Sequence, residues 1–573
     1  MNFPAFSKQI ANFRLKQYQQ ALDNAAFNGY PNGSVLYSWT SGRYGNCTGT
    51  GPCVDYQYHL NSDIAFNLIQ LYNVTNNETW FNNGPKQLVY SVAQMFGELF
   101  EFNKTDNAYW IYNMTDPDEY ANNIDNGAFT LASGAELLKE ANAFRKKDGL
   151  PQNETWTAIY ENIAFPKARS NITLEFETMN NSAAVKQADI VLLNYPLDYG
   201  VNYTEADKLL DLDYYANRQS EDGPAMTYSI FAIGANALSP SGCSAHTYTL
   251  NALLPYLRAP FFLFTEQVID DPTLNGNTNP ASPFLTGHGG ANQIVPFGFL
   301  GVRTDQPVLF INPSLPPQIP HVKVRTFHYA GTTLSASMNA THTDITRKET
   351  TRTAGAGELK DRFAGTELNF LVGIPGSDEN AVSYNISVGQ TISVPNRLYW
   401  QKNSEEGNIV QCLSVTSPDV YQPGQFPEAA IDGATSTRWQ PATNETSSIL
   451  IDMSAIPPQR VTGVMFDWGQ RPPRHATVYL GNSTDGEIVY GENVIVIEVN
   501  DIQPNLAFVP LKNGTKPSPE SSEVVPVIGN MTTVAVSGGS TYSGKYARLV
   551  IEGCWEEDGV GASVGEFVLK GVV

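Results

Sequence analysis

A chain of 573 residues is too long for one hydrophobic core, so several domains are expected. An apolar content of 42% belongs to a folded protein, and a formal charge of −22 excludes nucleic acid as a partner, because phosphate backbones demand clustered Lys and Arg. No apolar run reaches the length of about 18 residues that a membrane span needs.

The N-terminal stretch MNFPAFSKQIANFRLKQYQQ lacks the apolar centre of a signal peptide. Yet sixteen N-x-S/T sequons occur, among them Asn46, Asn73, Asn113, Asn202, Asn339 and Asn530. That density fits a glycosylated protein that is secreted, at the cell surface, periplasmic or vacuolar. The two observations are reconciled if the chain is the C-terminal part of something longer.

Residues 1–305 read as helical. In SDIAFNLIQLY, Ile64, Leu68, Ile69 and Tyr72 recur at helical spacing; Leu88, Val92, Phe96 and Leu99 do so in LVYSVAQMFGELF, and Trp156, Ile159, Tyr160 and Ile163 in NETWTAIYENIAF. Roughly ten such helices with long polar loops predict an α/α barrel whose loops line a cleft. GHGG reads as a Gly-rich turn. Near residue 305 the chain turns Pro-rich and then β-branched; AVSYNISV and TISV predict a small β-sandwich over 306–402. ATVYL, VIVIEV and YARLVIE predict a second all-β unit over 403–573.

Five cysteines suit an oxidising compartment. Cys47 and Cys53 could close a small loop, and Cys412 and Cys554 bracket the last unit as a staple would, leaving Cys243 over. Five buried thiols is the alternative.

Chemistry narrows by elimination. A P-loop, a dinucleotide fingerprint and a G-x-S-x-G elbow are absent, and seven scattered histidines have no metal spacing, so no metal or cofactor is expected. Carboxylates remain, and two suffice for glycoside hydrolysis. DPDEYANNIDNGAF offers Asp116, Asp118 and Glu119. RAPFFLFTEQVID places Glu266 behind an apolar run, where partial desolvation would suit proton transfer. LYSWTSGRYGN supplies Tyr37, Trp39, Arg43 and Tyr44; VDYQYHLNSDI supplies Tyr56, Tyr58, His59 and Asp63; AVKQADIVLLNYP supplies Lys186, Gln187 and Asp189. Rings that pack on pyranose faces, beside amides and charges for hydroxyls, favour a carbohydrate cleft.

SWTSGRYGNCTGTGPCVDYQYHLNSDIAF, DPDEYANNIDNGAF, VKQADIVLLNYP and FTEQVIDDPTLNGNTNPASPFLTGHGG together resemble the fungal acid trehalases of glycoside hydrolase family 65, in the same order over some 250 residues. The resemblance implies an (α/α)6 barrel, incomplete here at its N-terminus because the family's N-terminal sandwich, first barrel helices and a Trp-Asp pair precede this point, followed by two all-β sandwich domains. It implies inverting hydrolysis of the disaccharide α,α-trehalose to two glucose molecules, Glu119 being the general acid and Glu266 the base. It maps Trp39, Arg43, His59, Lys186 and Gln187 onto substrate contacts. Glu266 and the absence of a Ser-rich loop in GPAMTYSIFAIGA disfavour phosphorolysis. Hydrolysis of kojibiose or nigerose, or an inactive glycan-binding fragment, are the alternatives. AAIDGATSTRWQPA resembles an F5/8 type C (discoidin-like) module, implying a cell-wall glycan or a structural role for residues 403–573; Arg438 and Trp439 read there as core.

Overall fold

The computed structural model describes residues 4–49, 57–220, 223–304, 308–350, 359–373, 381–397, 403–457, 459–486, 488–491, 494–500, 502–504, 523–526, 529–536, 541–542 and 544–572. Among these, the first 293 positions hold eleven α-helices: α1 (Pro4–Lys16), α2 (Tyr18–Phe27), α3 (His59–Thr75), α4 (Glu78–Asn82), α5 (Pro85–Leu99), α6 (Ala128–Lys147), α7 (Glu154–Glu161), α8 (Glu205–Arg218), α9 (Thr227–Leu238), α10 (Cys243–Leu253) and α11 (Leu285–Gln293).

Several helix starts are written in the local sequence. Pro85 opens α5, where its missing N–H costs nothing. The Asn153 side chain accepts from the backbone of Thr155 and Trp156 at α7, and Thr204 and Asp207 form a reciprocal capping box at α8. Packing follows the apolar period. α5 buries Leu88, Val92 and Phe96 in the cluster that holds Ile64, Leu68, Ile69 and Tyr72 of α3. α7 stops at Glu161, so Ile163 lies beyond it, but Trp156 and Ile159 join the same core.

GHGG is not a turn. Residues Leu285–Gln293 are helical through all three glycines and run on into a π-helical segment, Ile294–Phe299. The reason is tertiary: a Cβ on Gly290 would stand 2.2 Å from Ser229 Oγ, and one on Gly287 would stand 2.9 Å from the Phe264 ring. Glycine here lets α11 approach α9.

The first β unit has two sheets. Thr391–Pro395, His342–Lys348, Thr332–Asn339 and His321–Tyr329 form an antiparallel one; Val382–Ile386, Leu368–Val372 and Leu309–Ile311 form the other, its last pair parallel. AVSYNISV and TISV thus supply strands. One hydrophobic cluster joins Phe231 and Tyr248 of the helices to Leu334, Ile345 and Phe370 of these sheets, so helices and sheets share a core. The last unit has its own core. A five-stranded sheet (Ser414–Thr416, Ser447–Asp452, Tyr546–Cys554, Pro473–Gly481, Ile495–Val499) and a second sheet centred on Gln459–Asp467 enclose Trp439, Ile449, Val464, Leu549 and Phe567.

The cysteine pairing differs from expectation. Cys412 is bonded to Cys243, with Cα atoms 5.6 Å apart, and Cys554 is a buried free thiol. Both partners converge on one segment: Cys412 N donates to Ile431 O (3.0 Å), and Ser241 Oγ donates to Asp432 O (3.0 Å) just before α10. Cys554 ends its strand facing the inter-sheet core. The bond therefore staples the helical part to the last β unit. Cys47 is disulfide-bonded; Cys53 lies outside the described residues.

Of the sequons, Asn46, Asn113, Asn202 and Asn339 are exposed. Asn530 is buried and its Nδ2 donates to Gly469 O (2.7 Å), which leaves it no room for a glycan in the folded chain. Among the described residues no helix is long and apolar enough to cross a membrane.

Candidate active site

A cavity of about 420 Å³ opens where several helices begin; Trp39, Gln57, His59, Pro117, Glu119, Lys186, Gln187, Met226, Glu266, Phe284 and Thr286 line it. His59 opens α3, Met226 precedes α9, and Phe284 and Thr286 flank the start of α11. The positive ends of three helix dipoles therefore face one space, which favours carboxylates there. Six of the seven candidates share this wall: Glu119, Glu266, Trp39, His59, Lys186 and Gln187. Arg43 does not. It is exposed, with its guanidinium 5.3 Å from the Tyr44 ring. Tyr56 lies outside the described residues.

Lys186 ties the wall together. Its Nζ donates to Glu119 Oε2 at 2.6 Å, with both side chains a quarter or more exposed, so the pair is wet. Burial opposes the lysine's charge, but the hydrogen bond to Glu119 and the charges of Glu119 and Glu266 outweigh it and raise its pKa. One cation thus senses both carboxylates. Gln187 Nε2 donates to Pro117 O, so this amide orders the Glu119 loop as well as facing the cavity.

Glu266 is held by its Oε2, which accepts from Ala281 N (2.9 Å). The apolar run before it does not shield it as expected: Phe261, Phe262 and Leu263 are exposed, and only Phe264 turns inward. Its backbone is fixed on both sides: Ala225 N donates to Glu266 O (2.8 Å), and Glu266 N donates to Ala281 O (3.0 Å).

His59 Nδ1 pairs with Asp63 Oδ2 at 2.9 Å, while Nε2 is buried with no hydrogen-bond partner among the described residues. Burial disfavours the imidazolium, yet Asp63, Asp116 and Glu119 together raise the His59 pKa. Protonated and fixed by Asp63, the ring offers Nε2–H as a donor.

Behind the wall lies a group that sequence reasoning did not assemble. Asp116, Asp118, Glu175 and Asp189 are all essentially buried. Asp118 N donates to Asp189 Oδ2 (3.1 Å), and the Asp118 carboxylate accepts from Tyr120 N (3.1 Å) and Lys186 N (3.0 Å). Asp116 Oδ1 accepts from Thr130 N (3.1 Å). Burial pushes Asp116 and Asp118 up to about 6 against these hydrogen bonds. It pushes Glu175 and Asp189 further up, with their neighbours' charges adding to it. The group retains protons that carboxyls in water shed. Asp189 therefore braces the loop rather than facing the cavity. Asp116, Asp118 and Asp189 were visible as carboxylates in quoted motifs; Glu175 carried no local signal. No group of three or more His, Cys, Asp or Glu among the described residues is arranged to hold a metal.

Two carboxyls, a cation, an imidazole, amides and an indole around one small open cavity suit a polyhydroxylated ligand and proton transfer. Residues 1–166 match the glycosyl hydrolase family 65 central catalytic domain. An acid trehalase of Emericella nidulans is 43% identical, the match covering 99% of this chain and 55% of that protein.

Residues 1–166 belong to glycosyl hydrolase family 65.

A cell wall acid trehalase of Arthroderma benhamiae is 41% identical over 96% of the chain and 53% of its own length. The chain spans about half the length of these two acid trehalases. A solved structure, a putative kojibiose phosphorylase from human microbiome, shares the fold with a TM-score of 0.50, at 11% identity, over 68% of this chain and 57% of that one. The family 65 match covers the segment that carries Trp39, His59 and Glu119; Lys186 and Glu266 fall after it but within the span aligned to the trehalases.

Proposed function

We propose that this chain hydrolyses α,α-trehalose to two glucose molecules with inversion, Glu119 acting as general acid and Glu266 as general base. The observation that carries the reading is that both carboxyls line one 420 Å³ cavity with Lys186, which donates to Glu119 and feels the charge of Glu266. Glu119 delivers its proton to the glycosidic oxygen, and Glu266 takes one from a water on the opposite ring face. Trehalose hydroxyls draw the Lys186 ammonium from the Glu119 carboxylate, which takes up a proton from solvent and carries it to the leaving oxygen. Protonated His59 and Gln187 hold hydroxyls, and Trp39 packs on a sugar face. Acid trehalase relatives support trehalose over other α-linked glucose disaccharides.

We assign residues 1–305 to an (α/α)6 barrel, residues 306–402 to a small sandwich, and residues 403–573 to a discoidin-like sandwich that contacts cell-wall glycan. On α1, Phe6, Ile10 and Phe13 form an exposed apolar stripe. Exposed sequons and cell-wall relatives support an extracellular location. Proton NMR of trehalose with the intact chain tests the mechanism. Equal initial amounts of α- and β-glucose support it; two α-glucose molecules, or no hydrolysis, overturn it.

A further inference from the structure

A second cavity, of about 640 Å³, lies between the helical part and the last β unit. Asn251, Pro255 and Ile269 are on its helical wall; Gln425, Arg438, Gln470, Arg471, Glu556 and Asp558 are on its β wall. We propose that this cleft binds a neutral oligosaccharide. The inference rests on reading the last β unit as a glycan contact, not on the hydrolytic reading.

The first argument is unspent hydrogen-bonding capacity. Asn251 is 8% exposed and its Oδ1 has no hydrogen-bond partner among the described residues. Arg438 is half-buried and forms no hydrogen bond, ion pair or ring contact among the described residues; the side chains of Gln425 and Gln470 form no hydrogen bond either. Buried polar groups are normally satisfied, so Asn251 Oδ1 marks a place for a ligand donor, and half-buried Arg438 and Gln425 with exposed Gln470 present uncommitted donors and acceptors around the same space.

The second argument is charge. Arg471 pairs with both Glu556 and Asp558, the latter at 2.6 Å. With Arg438, the lining holds two guanidiniums and two carboxylates. A charged ligand gains little there, whereas neutral hydroxyls can use every group. Pro255, Val268 and Ile269 give the apolar surface that sugar C–H faces need.

The third argument is rigidity. The walls are joined by the Cys243–Cys412 bond, by the Tyr248 hydroxyl to Ser436 Oγ (2.5 Å) and by Ser436 Oγ to Asp213 Oδ1 (2.6 Å). A cleft with fixed walls binds without an ordering cost. It is also separate from the first cavity. The cluster of Ala225, Tyr256 and Phe264 lies between, with Phe284 on the Glu266 side and Val268 on the cleft side. Arg438 is thus a cleft residue, not the core residue its motif suggested; its neighbour Trp439 is core.

Calorimetric titration of β-1,3-glucohexaose and maltohexaose into the intact Glu119→Gln chain, saturated with trehalose to block the first cavity, tests this. At least one hexaose is expected to bind, and Arg438→Ala and Asn251→Ala each to weaken it about tenfold. With Glu119 restored, both variants should hydrolyse trehalose as the parent does. Undiminished binding in the variants would place the glycan site elsewhere on the β unit and overturn the cleft. No binding at millimolar hexaose, or binding only of a heparin hexasaccharide, would overturn both the cleft and the glycan reading. Hexaose binding without any trehalose hydrolysis would sustain the cleft and remove the proposed activity. If Asn251→Ala does not fold, half-exposed Arg438 carries the test.

Discussion

The Lys186 ammonium lies 2.6 Å from Glu119 Oε2 and also feels the charge of Glu266. A residue placed so cannot be a mere surface charge. Replacing it by Met keeps the length and removes the cation. We expect kcat/KM for trehalose to fall about a hundredfold, as for a lost charge-assisted contact in the transition state. Steady-state kinetics on the variant decide it; a change under twofold would make Lys186 a bystander.

The two glutamates should fail differently. Glu119→Gln and Glu266→Ala are each expected to lower kcat on the order of a thousandfold, the usual range for losing an acid or a base. Azide can take the place of water on the side where Glu266→Ala leaves room, giving β-glucosyl azide. It cannot protonate a leaving oxygen, so Glu119→Gln stays inactive on trehalose. Product analysis with and without azide checks this; rescue of the wrong variant would exchange the two roles.

Asp118 acts on the site through the backbone, by accepting from Tyr120 N and Lys186 N. In Asp118→Asn one of those donors meets an amide NH₂ instead of an oxygen. The Glu119 and Lys186 loops should drift apart, with kcat down about tenfold and KM less affected. A purely structural role would move the melting temperature without that kcat-against-KM split.

The buried acids make stability depend on pH in a stated direction. Asp116 and Asp118 titrate near 6 when folded, and Asp211 and Asp432 near 7, because burial disfavours their charge. Unfolded, such groups ionise near 4. Between those values the folded chain holds more protons than the unfolded one, so stability falls as pH rises. It is fully present below about pH 4 and lost by about pH 7. Asp207 pulls the other way, its folded pKa depressed by Thr204 and Lys167 despite burial, and so do Glu78, Asp148, Asp270, Asp271 and Asp558 at the surface, but the raised carboxyls are more numerous and more deeply buried. Calorimetric melting should therefore give a midpoint at least about 5 °C higher at pH 5 than at pH 8. The reverse order would mean that the cluster is ionised in the folded chain.

Much of this arrangement was legible because it is local. The periods of α3 and α5, the strands from AVSYNISV and TISV, and the DPDEY and KQAD motifs all carry their signal within a few residues. What was not legible depended on distant partners. Glycine in GHGG reads as a turn until Ser229 and Phe264 are seen to require its missing Cβ. Phe261 and Phe262 read as a shield for Glu266 until the chain turns them outward. Glu175 meets Asp116 and Asp118 only in three dimensions. Arg43 stands in the same motif as Trp39, yet only Trp39 reaches the cavity wall.

The cysteines give the sharpest case. Chain order suggested Cys412 with Cys554, whereas the fold joins Cys412 to Cys243 across 169 residues. A bond that closes so long a loop restricts the unfolded chain strongly, and removing one typically costs about 2–5 kcal/mol. Cys243→Ser should therefore lower the melting temperature clearly. It should also free the cleft walls, so proteolysis should rise near Cys412. Cys554→Ser, at a buried position with no bond, should shift stability less. Thiol titration gives an independent reading: the folded chain should show no reactive thiol, and the denatured unreduced chain should show Cys554. Peptide mapping under non-reducing conditions that linked Cys554 to Cys412 would overturn the pairing.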